Sequence, residues 1–268
     1  MNLFSILKKQ KGESKVMLYA ERVEIILQQL QLRSTVKVTE LSQLLHVSVD
    51  TVRRDLKAME QEGLIRYIHG GACLPEIMSP FSDFTGREII NSEWKREASK
   101  KAISYIKQGN LIALNSGTTN TILAQELVNT DKKITVVTNN YAAIHILMQN
   151  EKIHLISIGG DIDSLERSSY GTVCESEFGQ YYPDIAFLSI NAVNCEDGYT
   201  DFRFHETGVL RLLAKRAKQV IAVMDSSKLD KRSKKKVLSA EEIDLLVMDD
   251  QVSEETKKKY SEKGILII

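Results

Sequence analysis

The chain has 268 residues, of which 43% are hydrophobic and 27% charged, and 36 basic side chains balance 36 acidic ones. This length is enough for two domains, a small one and one with a sizeable core. The zero net charge excludes a protein that binds polyanions through its overall field, and no apolar run approaches the roughly 18 residues of a membrane span. Cys73, Cys174 and Cys195 lie far apart, so we expect reduced thiols in a cytoplasmic protein and neither a disulfide framework nor a metal site.

The first residues of the chain, 1–16, are basic and hold an apolar stretch too short for a secretory signal. We expect them to form a mobile basic tail. The apolar period of Glu21–Leu32 then predicts a helix that completes a three-helix core with two helices further on. The first 72 residues carry a small excess of basic over acidic side chains, which is the sign expected of a DNA-binding head.

The stretch Thr39–Ala72, TELSQLLHVSVDTVRRDLKAMEQEGLIRYIHGGA, is the most informative part of the sequence. Its pattern predicts a helix, a tight turn, a second helix and a short β-wing. Thr39 is the expected N-cap of the first helix, His46 and Val47 form the turn, and Ser48 caps the second helix.

The second of these helices has two contrasting faces. Val52, Leu56 and Met59 form its apolar face, at spacings of four and three residues. The opposite face carries cations and short polar groups near the N-terminus, as a helix that reads the major groove requires. A solvated helical hairpin with a basic face is the alternative. The predicted DNA contacts, including the wing, are Ser48, Asp50, Thr51, Arg53, Arg54, Lys57, His69 and Gly70.

Residues 17–73 are therefore predicted to form a winged helix-turn-helix domain. Residues 74–91 hold two of the three prolines and lack a clear period, so we expect a linker there. Residues 92–268 are predicted to form an α/β domain, with helical spacing over Ser92–Lys107 and alternation of strands and helices after it. Such alternation indicates a mainly parallel sheet with helices on its faces. The predicted strands are Leu111–Asn115, Ile134–Thr138, His154–Ile158, Ile185–Ser189, Val220–Met224, Leu245–Met248 and Ile265–Ile268, and the predicted helices are Thr121–Val128, Tyr141–Gln149, Thr207–Arg216 and Glu254–Lys263.

Polar side chains follow four of these strands. They lie in Ser116–Asn120, Asn139–Asn140, Gly159–Asp161 and Asp225–Lys228. Glycine, hydroxyl groups and free N–H groups at a helix start suit a phosphate. Each segment alone could be an ordinary turn, a helix cap or a surface ion pair. Because ligands bind at the carboxyl edge of such sheets, four segments together favour a binding site.

The motifs resemble those of the DeoR family of bacterial sugar-operon regulators. In the first domain the resemblance lies in Val47–Ser48, Thr51–Leu56 (TVRRDL) and His69–Ala72 (HGGA). In the second domain SGTT, VVTNN, IGGD, DIAFLSI, DGYT and DSSK follow in the family's order. The resemblance covers residues 20–268 and implies a C-terminal domain similar to ribose-phosphate isomerase and CoA-transferase-like folds that binds phosphorylated sugars.

The same resemblance implies roles for individual residues. Ser116–Asn120 would hold the phosphate, Asn139 and Asn140 the sugar hydroxyls, and Lys228 the phosphate or ring oxygens, with Asp225 orienting Lys228. The implied effector-binding residues are Ser116, Gly117, Thr118, Thr119, Asn120, Asn139, Asn140, Gly160, Asp225 and Lys228.

The sequence departs from the family pattern at two places. Asn115 stands where the family has an acidic residue before the Gly-Thr-Thr turn, and its expected effect is to remove a carboxylate from the sugar site. The helix after DGYT keeps only Arg211 of the family's Lys-Arg pair.

We therefore expect a DNA-binding regulator, a repressor of a sugar operon, that responds to a sugar phosphate without a cofactor. Two heads in a homodimer or homotetramer would supply the half-site spacing of an operator. One alternative is a sugar-phosphate isomerase-like enzyme with an accessory DNA-binding head. Asp161, Asp163 and Asp184 could serve as its base, but no acid–base pair lies in a recognisable motif. Another alternative is a body that only oligomerises.

Overall fold

A computed structural model describes residues 17–33, 35–68, 70–74 and 84–268. The chain divides into two compact units, Met1–Glu76 and Ile77–Ile268. The predicted basic tail, residues 1–16, lies outside the described residues.

The first unit packs three helices against a small antiparallel sheet. Its elements are α1 (Tyr19–Arg33), β1 (Thr35–Lys37), α2 (Val38–Leu45), α3 (Val49–Gln61), β2 (Arg66–Ile68) and β3 (Gly71–Cys73). The strand order is β1-β3-β2, so β3 pairs with both neighbours. One apolar cluster joins the three helices and the sheet, and it includes Ile26, Leu30, Leu41, Leu45, Val52, Leu56 and Met59.

One local prediction for this unit needs correction. Thr39 is not an N-cap, because α2 begins at Val38 and the N-cap position belongs to Lys37, whose side chain makes no capping bond. The reason is β1, a strand missing from the prediction, which runs directly into α2. The backbone N–H of Val38 donates to Gly70 O at 2.8 Å, which anchors this start against the wing.

The second unit is an α/β domain. Its helices are α4 (Phe84–Ile89), α5 (Ser92–Ile103), α6 (Thr118–Leu127), α7 (Tyr141–Leu147), α8 (Gly171–Phe178), α9 (Thr207–Arg216) and α10 (Glu254–Ser261). Its strands are β4 (Leu111–Leu114), β5 (Ile134–Thr138), β6 (Ile153–Ser157), β7 (Asp161–Asp163), β8 (Ser168–Tyr170), β9 (Ile185–Leu188), β10 (Ala192–Asn194), β11 (Gly198–Asp201), β12 (Gln219–Val223), β13 (Lys235–Leu238) and β14 (Leu245–Val247).

A six-stranded sheet in the order β14-β12-β9-β4-β5-β6 organises this unit, and every pairing in it is parallel. The predicted mainly parallel α/β fold is thus confirmed. The inner strands β12, β9, β4 and β5 are mostly apolar and buried because both faces of the sheet are covered there, whereas the edge strand β6 is partly exposed. The unit contains two separate apolar clusters. The remaining strands form two small antiparallel sheets, β10-β11-β13 and β7-β8.

Two predicted segments differ from the structure. Ile265–Ile268 makes only a parallel bridge between Leu246 and Ile267 beside β14, so it protects the sheet edge without forming a regular strand. The predicted linker covers residues 74–91, and its second half contains α4. Phe84, the first residue of α4, is buried. Six residues are too few to display a helical period, which is why the sequence pattern did not reveal this helix.

Candidate functional site

The turn between α2 and α3 has the geometry of a helix-turn-helix. His46 adopts a left-handed conformation (φ 53°) at the C-terminus of α2, and Ser42 Oγ donates to Val47 O at 2.7 Å. Ser48 caps α3 because its Oγ accepts the N–H of Thr51 at 3.1 Å. These bonds fix where α3 begins, and therefore which of its side chains face outward.

The outward face of α3 carries the predicted cations. Arg53, Arg54, Lys57 and Asp50 are exposed, whereas the apolar residues of the opposite face are buried. Arg53 reaches Asp50 in an exposed ion pair of 3.2 Å. The exposed groups are free of the core, so they are available to an external partner.

The buried face of α3 includes one charged residue, Asp55. Its carboxylate accepts two hydrogen bonds from Arg22 of α1, at 2.6 and 2.9 Å. Both side chains are mostly buried, and the bond to Asp55 holds the pKa of Arg22 above its usual value. This ion pair joins α3 to α1. It therefore orients the exposed face of α3, although Asp55 lies on the opposite, buried face.

The wing turn follows β2. Gly70 is exposed and has a positive φ of 83°, a conformation that glycine adopts without strain. Gly71 packs against the backbone of Val36, where a Cβ would have no room. The predicted contact residue His69 lies outside the described residues.

A cavity of about 430 Å³ lies in the second unit, and we call it the cationic cavity. Four predicted effector residues line it: Gly117, Thr118, Thr119 and Lys228. The loop after β4 and the loop after β12 therefore meet at one place. The other lining residues are Arg87, Ile90, Asn91, Lys95, Ser189, Ile190, Asn191, Ala192, Phe202, Arg203, Ser227, Lys231 and Arg232.

The charge of this lining is one-sided. Among the described residues it includes six cations and no carboxylate, so the cavity suits an anion. The ammonium group of Lys228 forms no ion pair or hydrogen bond with the described part of the chain. Burial lowers the pKa of Lys228, an effect that Asp225 partly offsets. An anion in the cavity would relieve this unpaired charge.

Arg203 holds one wall of the cavity in place. It is buried and donates to Asp201 at 2.7 and 3.0 Å, to Ser189 O at 2.8 Å, and to Ser116 O and Oγ at 3.1 and 3.2 Å. Burial disfavours the charged guanidinium, but the Asp201 carboxylate outweighs burial and raises the pKa of Arg203. Arg203 therefore remains charged and fixes the loop after β4 against β9.

Asp225 lies at the back of the cavity and is fully buried. Its Oδ1 accepts hydrogen bonds from Asn91 Nδ2 at 3.1 Å and from Ser227 Oγ. Within the described part of the chain its Oδ2 has no hydrogen-bond partner, and it lies 3.9 Å from the ammonium of Lys95. Asp225 thus organises the groups around Lys228 rather than lining the cavity itself.

Five further predicted effector residues lie behind the wall and do not line the cavity. Asn140 caps α7 and donates to Gly117 O at 3.2 Å, and Asn139 donates to Ser169 O at 2.7 Å. Both are fully buried and donate to protein groups, so they support the loops, and among the described residues Asn139 Oδ1 has no hydrogen-bond partner. The other three are Ser116, which accepts from Arg203; Asn120, which donates to Phe187 O; and Gly160, which packs against Tyr170 and Cys174.

The candidate catalytic bases lie elsewhere or have structural partners. Asp184 accepts the N–H of Leu111 at 2.9 Å and pairs with Lys218 at 2.7 Å, which holds the pKa of Asp184 below its usual value. Asp163 caps a turn by accepting two backbone N–H groups, and Asp161 is exposed. None of the three lines the cationic cavity.

Several lining residues escaped the sequence reasoning. Arg87, Asn91 and Lys95 fall in or next to the predicted linker, where the sequence pattern indicates no binding segment. Ser189 and Asn191 directly follow β9, so the strand-end rule that selected the other segments could have found them. Arg203 follows the DGYT motif by three residues, but nothing in the sequence pairs it with Asp201 and Ser116.

Across the described residues, no group of three or more His, Cys, Asp and Glu side chains could hold a metal ion. The described helices include none that is long and apolar enough to cross a membrane. Cys73 and Cys174 are buried and Cys195 is partly buried, and burial raises the thiol pKa of all three.

Comparison with known families gives a match in each unit. The family model of the DeoR-like helix-turn-helix domain matches residues 22–77, and that of the DeoR C terminal sensor domain matches residues 90–250. The two matches cover the capped α3 and every lining residue of the cationic cavity except Arg87.

Individual relatives align over nearly the whole chain. The HTH-type transcriptional regulator GolR of Listeria innocua is 33% identical over 245 residues, which are 91% of this chain and 96% of that protein. The putative aga operon transcriptional repressor of Escherichia coli O157:H7 is 29% identical over 96% of both chains. The lactose phosphotransferase system repressor of Lactococcus lactis is 31% identical over 90% of this chain and 95% of that protein.

Among solved structures, ribose 5-phosphate isomerase A of Methanocaldococcus jannaschii is 21% identical, with a TM-score of 0.39 over 52% of this chain and 55% of that chain. eIF2B beta of Chaetomium thermophilum is 11% identical, with a TM-score of 0.45 over 91% of this chain and 69% of that one.

Proposed function

This chain belongs to the DeoR family of transcriptional regulators, and from that premise we propose that it represses a sugar-utilisation operon under the control of a phosphorylated sugar. The relatives named above are regulators and not enzymes, so the isomerase-like alternative is not favoured. The observation that carries the proposal is the meeting of Gly117–Thr119 with Lys228 in one cavity without a carboxylate in its lining.

The proposed phosphate position lies at the N-terminus of α6. Thr118 and Thr119 open this helix, so their N–H groups have no intrahelical acceptors and the helix dipole favours an anion. The ammonium of Lys228, which pairs with none of the described residues, lines the same cavity. Gly117 lets the loop after β4 pack closely against Ser189, because a Cβ at residue 117 would lie 2.6 Å from Ser189 Oγ.

The proposed sugar position uses neutral groups of the same lining. Asn91, Ser189, Asn191 and Ser227 carry amides and hydroxyls that can exchange hydrogen bonds with sugar hydroxyls. This assignment replaces Asn139 and Asn140, which lie behind the wall.

The proposed DNA contacts are the exposed polar residues of α3 and the wing. Arg54 and Lys57 would face the major groove and Gly70 the phosphate backbone. Two such heads in a homodimer or homotetramer, in the cytoplasm, would match the two halves of an operator. Control by the effector requires that it bind more tightly to one of two states of the regulator.

A thermal-shift screen against hexose, pentose and triose phosphates tests the effector proposal. A bound sugar phosphate stabilises the folded sensor unit by mass action, by about 2.7 kcal/mol at a hundredfold excess over Kd. Lys228→Met should weaken this binding at least about tenfold, since it removes the unpaired cation. Lys236→Met, an exposed lysine of β13 outside the lining, is the matched control. No stabilisation by any sugar phosphate would overturn the proposal.

A further inference from the structure

One wall of the cationic cavity is the junction between α4 and α5. Arg87, Ile90, Asn91 and Lys95 all come from this short stretch. In chain order α4 is the first described element of the second unit, and nine residues, 75–83, separate it from the described end of the first unit. This wall is therefore close in the chain to the segment that leads to the helix-turn-helix.

Lys95 holds the junction together from inside. Its side chain is 2% exposed, and its ammonium donates to Arg87 O at 2.7 Å and to Ile90 O. These carbonyls lie at the C-terminal end of α4, where helical carbonyls lack intrahelical partners. The lysine thus caps α4 from the helix that follows it.

The same ammonium has a second set of partners within reach. Asp225 Oδ2 lies 3.9 Å away, beyond hydrogen-bond distance, and this buried oxygen has no hydrogen-bond partner among the residues that the structure describes. Lys95 also lines the cavity, where it faces the charge of Lys228. A lysine ammonium is a compact charge on a flexible stem, so it can exchange carbonyl acceptors for an anionic one.

Asn91 connects the junction between α4 and α5 to the loop after β12. It has a positive φ of 53°, between α4 and α5, and its side chain donates to Asp225 Oδ1 and to Ser227 Oγ. Ser227 in turn lies next to Lys228. A ligand that moved the loop after β12 would therefore change the hydrogen bonds of Asn91 at the turn between the two helices.

We propose that Lys95 senses the effector: an anionic group in the cationic cavity draws its ammonium from the carbonyls of Arg87 and Ile90, and this releases the C-terminal end of α4. The inference rests on the proposed function, because it assigns the regulatory step to the same cavity. It makes Lys95 a positioning residue whose two states differ in the position of α4.

The protein contains its own reporter for this step. Trp94 is its single tryptophan, immediately precedes Lys95 and is 37% exposed. Inorganic phosphate is the probe, and thermal shift reports whether it binds the full-length protein. Hydrogen–deuterium exchange of residues 84–92 and the emission of Trp94 report whether the junction responds.

Phosphate should stabilise the parent protein and accelerate exchange in 84–92 at least about threefold, because the capped end of α4 opens. Lys95→Met should exchange rapidly in this segment without phosphate and respond less than about 1.5-fold to it, although phosphate still stabilises the variant. Lys100→Met removes an exposed cation of the same helix and should behave as the parent.

Operator binding gives a second readout. With Lys95→Met, operator affinity should match that of the parent saturated with phosphate, and the response to phosphate should fall below about twofold. The parent measurements decide the question alone if Lys95→Met does not fold. Stabilisation of the parent by phosphate without any change in exchange or in Trp94 emission would overturn the role of Lys95 and leave the proposed function standing. Absence of stabilisation in both the parent and Lys100→Met would overturn the proposed site itself.

Discussion

The side chain of Asn115 exchanges two hydrogen bonds with the backbone of Ser189: its Oδ1 accepts the N–H at 2.8 Å and its Nδ2 donates to the carbonyl at 3.1 Å. This pair joins the carboxyl ends of β4 and β9, which both lead into the cationic cavity. The sequence analysis predicts that Asn115 acts by removing a carboxylate from the sugar site. The structure instead buries it completely as a brace between two loops.

Asn115→Asp should lower the free energy of unfolding by about 1–3 kcal/mol at pH 7, because a carboxylate cannot donate to Ser189 O. Burial next to a carbonyl raises the pKa of the new carboxyl, so the loss should shrink as the pH falls and the protonated acid regains a donor. Calorimetry of the sensor unit at pH 5 and pH 8 measures this difference. Asn129→Asp, at an exposed position after α6, should cost much less, and equal losses for the two variants would show that the bonds between Asn115 and Ser189 do not stabilise the fold.

Gly117→Ala should abolish sugar-phosphate binding. Gly117 has a φ of 124°, and a Cβ would lie 2.6 Å from Ser189 Oγ and 2.9 Å from Arg203 Nη1. The substitution combines backbone strain of about 1–3 kcal/mol with displacement of the cavity wall. Gly109→Ala is the matched control, since its φ is 82° but its Cβ meets nothing within 4 Å. Titration calorimetry should show normal sugar-phosphate binding for the control. Retained binding by Gly117→Ala would contradict the proposal that the loop after β4 holds the phosphate.

Asp55→Ala should unfold the first unit at moderate temperature. It leaves the guanidinium of Arg22 buried without its carboxylate, and breaking such a pair costs about 3–5 kcal/mol. Asp50→Ala breaks an exposed pair with Arg53 and should cost less than about 1 kcal/mol. Thermal melts followed by circular dichroism compare the two. Similar melting temperatures would show that Asp55 does not orient α3.

Arg54→Ala and Lys57→Ala should weaken operator binding in different ways. Arg54→Ala should cost about 1–3 kcal/mol and relax the preference at one base position, whereas Lys57→Ala should weaken all sequences evenly and reduce the salt slope by about 1. Fluorescence anisotropy on operator and scrambled duplexes at several salt concentrations separates these effects. Lys215→Ala, on an exposed position of α9, controls for loss of charge alone. Parent-like operator binding by both variants would contradict the proposal that α3 lies in the major groove.

The stability of the sensor unit should rise between pH 8 and pH 10 through Lys95. Burial lowers the pKa of Lys95 to about 8, below its unfolded value, so the unfolded chain binds more protons in this range. Stability then increases with pH by at most about 1.4 kcal/mol per unit. The parent should therefore gain stability relative to Lys95→Met as the pH is raised. Unfolding curves of the two proteins at pH 7 and pH 10 measure this effect. The difference between their free energies of unfolding should change with pH, and a constant difference would show that the Lys95 ammonium is more solvated than the structure indicates.

Local patterns in the sequence determined the main elements. The apolar period of α3 and its Ser48 cap predicted a helix that buries Val52, Leu56 and Met59, and the structure places it there. Short apolar runs predicted the six strands of the parallel sheet to within a residue or two at each end. Such signals are readable because a helix repeats every 3.6 residues and a fully covered strand must be apolar on both faces.

Only the tertiary structure decided which polar groups face the cationic cavity. Asn139 and Lys228 are both polar residues after strands, yet one is buried behind the wall and the other lines the cavity. Arg203 meets Ser116 across 87 positions of sequence, and Lys95 meets Asp225 across an even longer span. Residue type and spacing encode neighbours along one element, whereas these contacts depend on how strands from distant parts of the chain line up side by side.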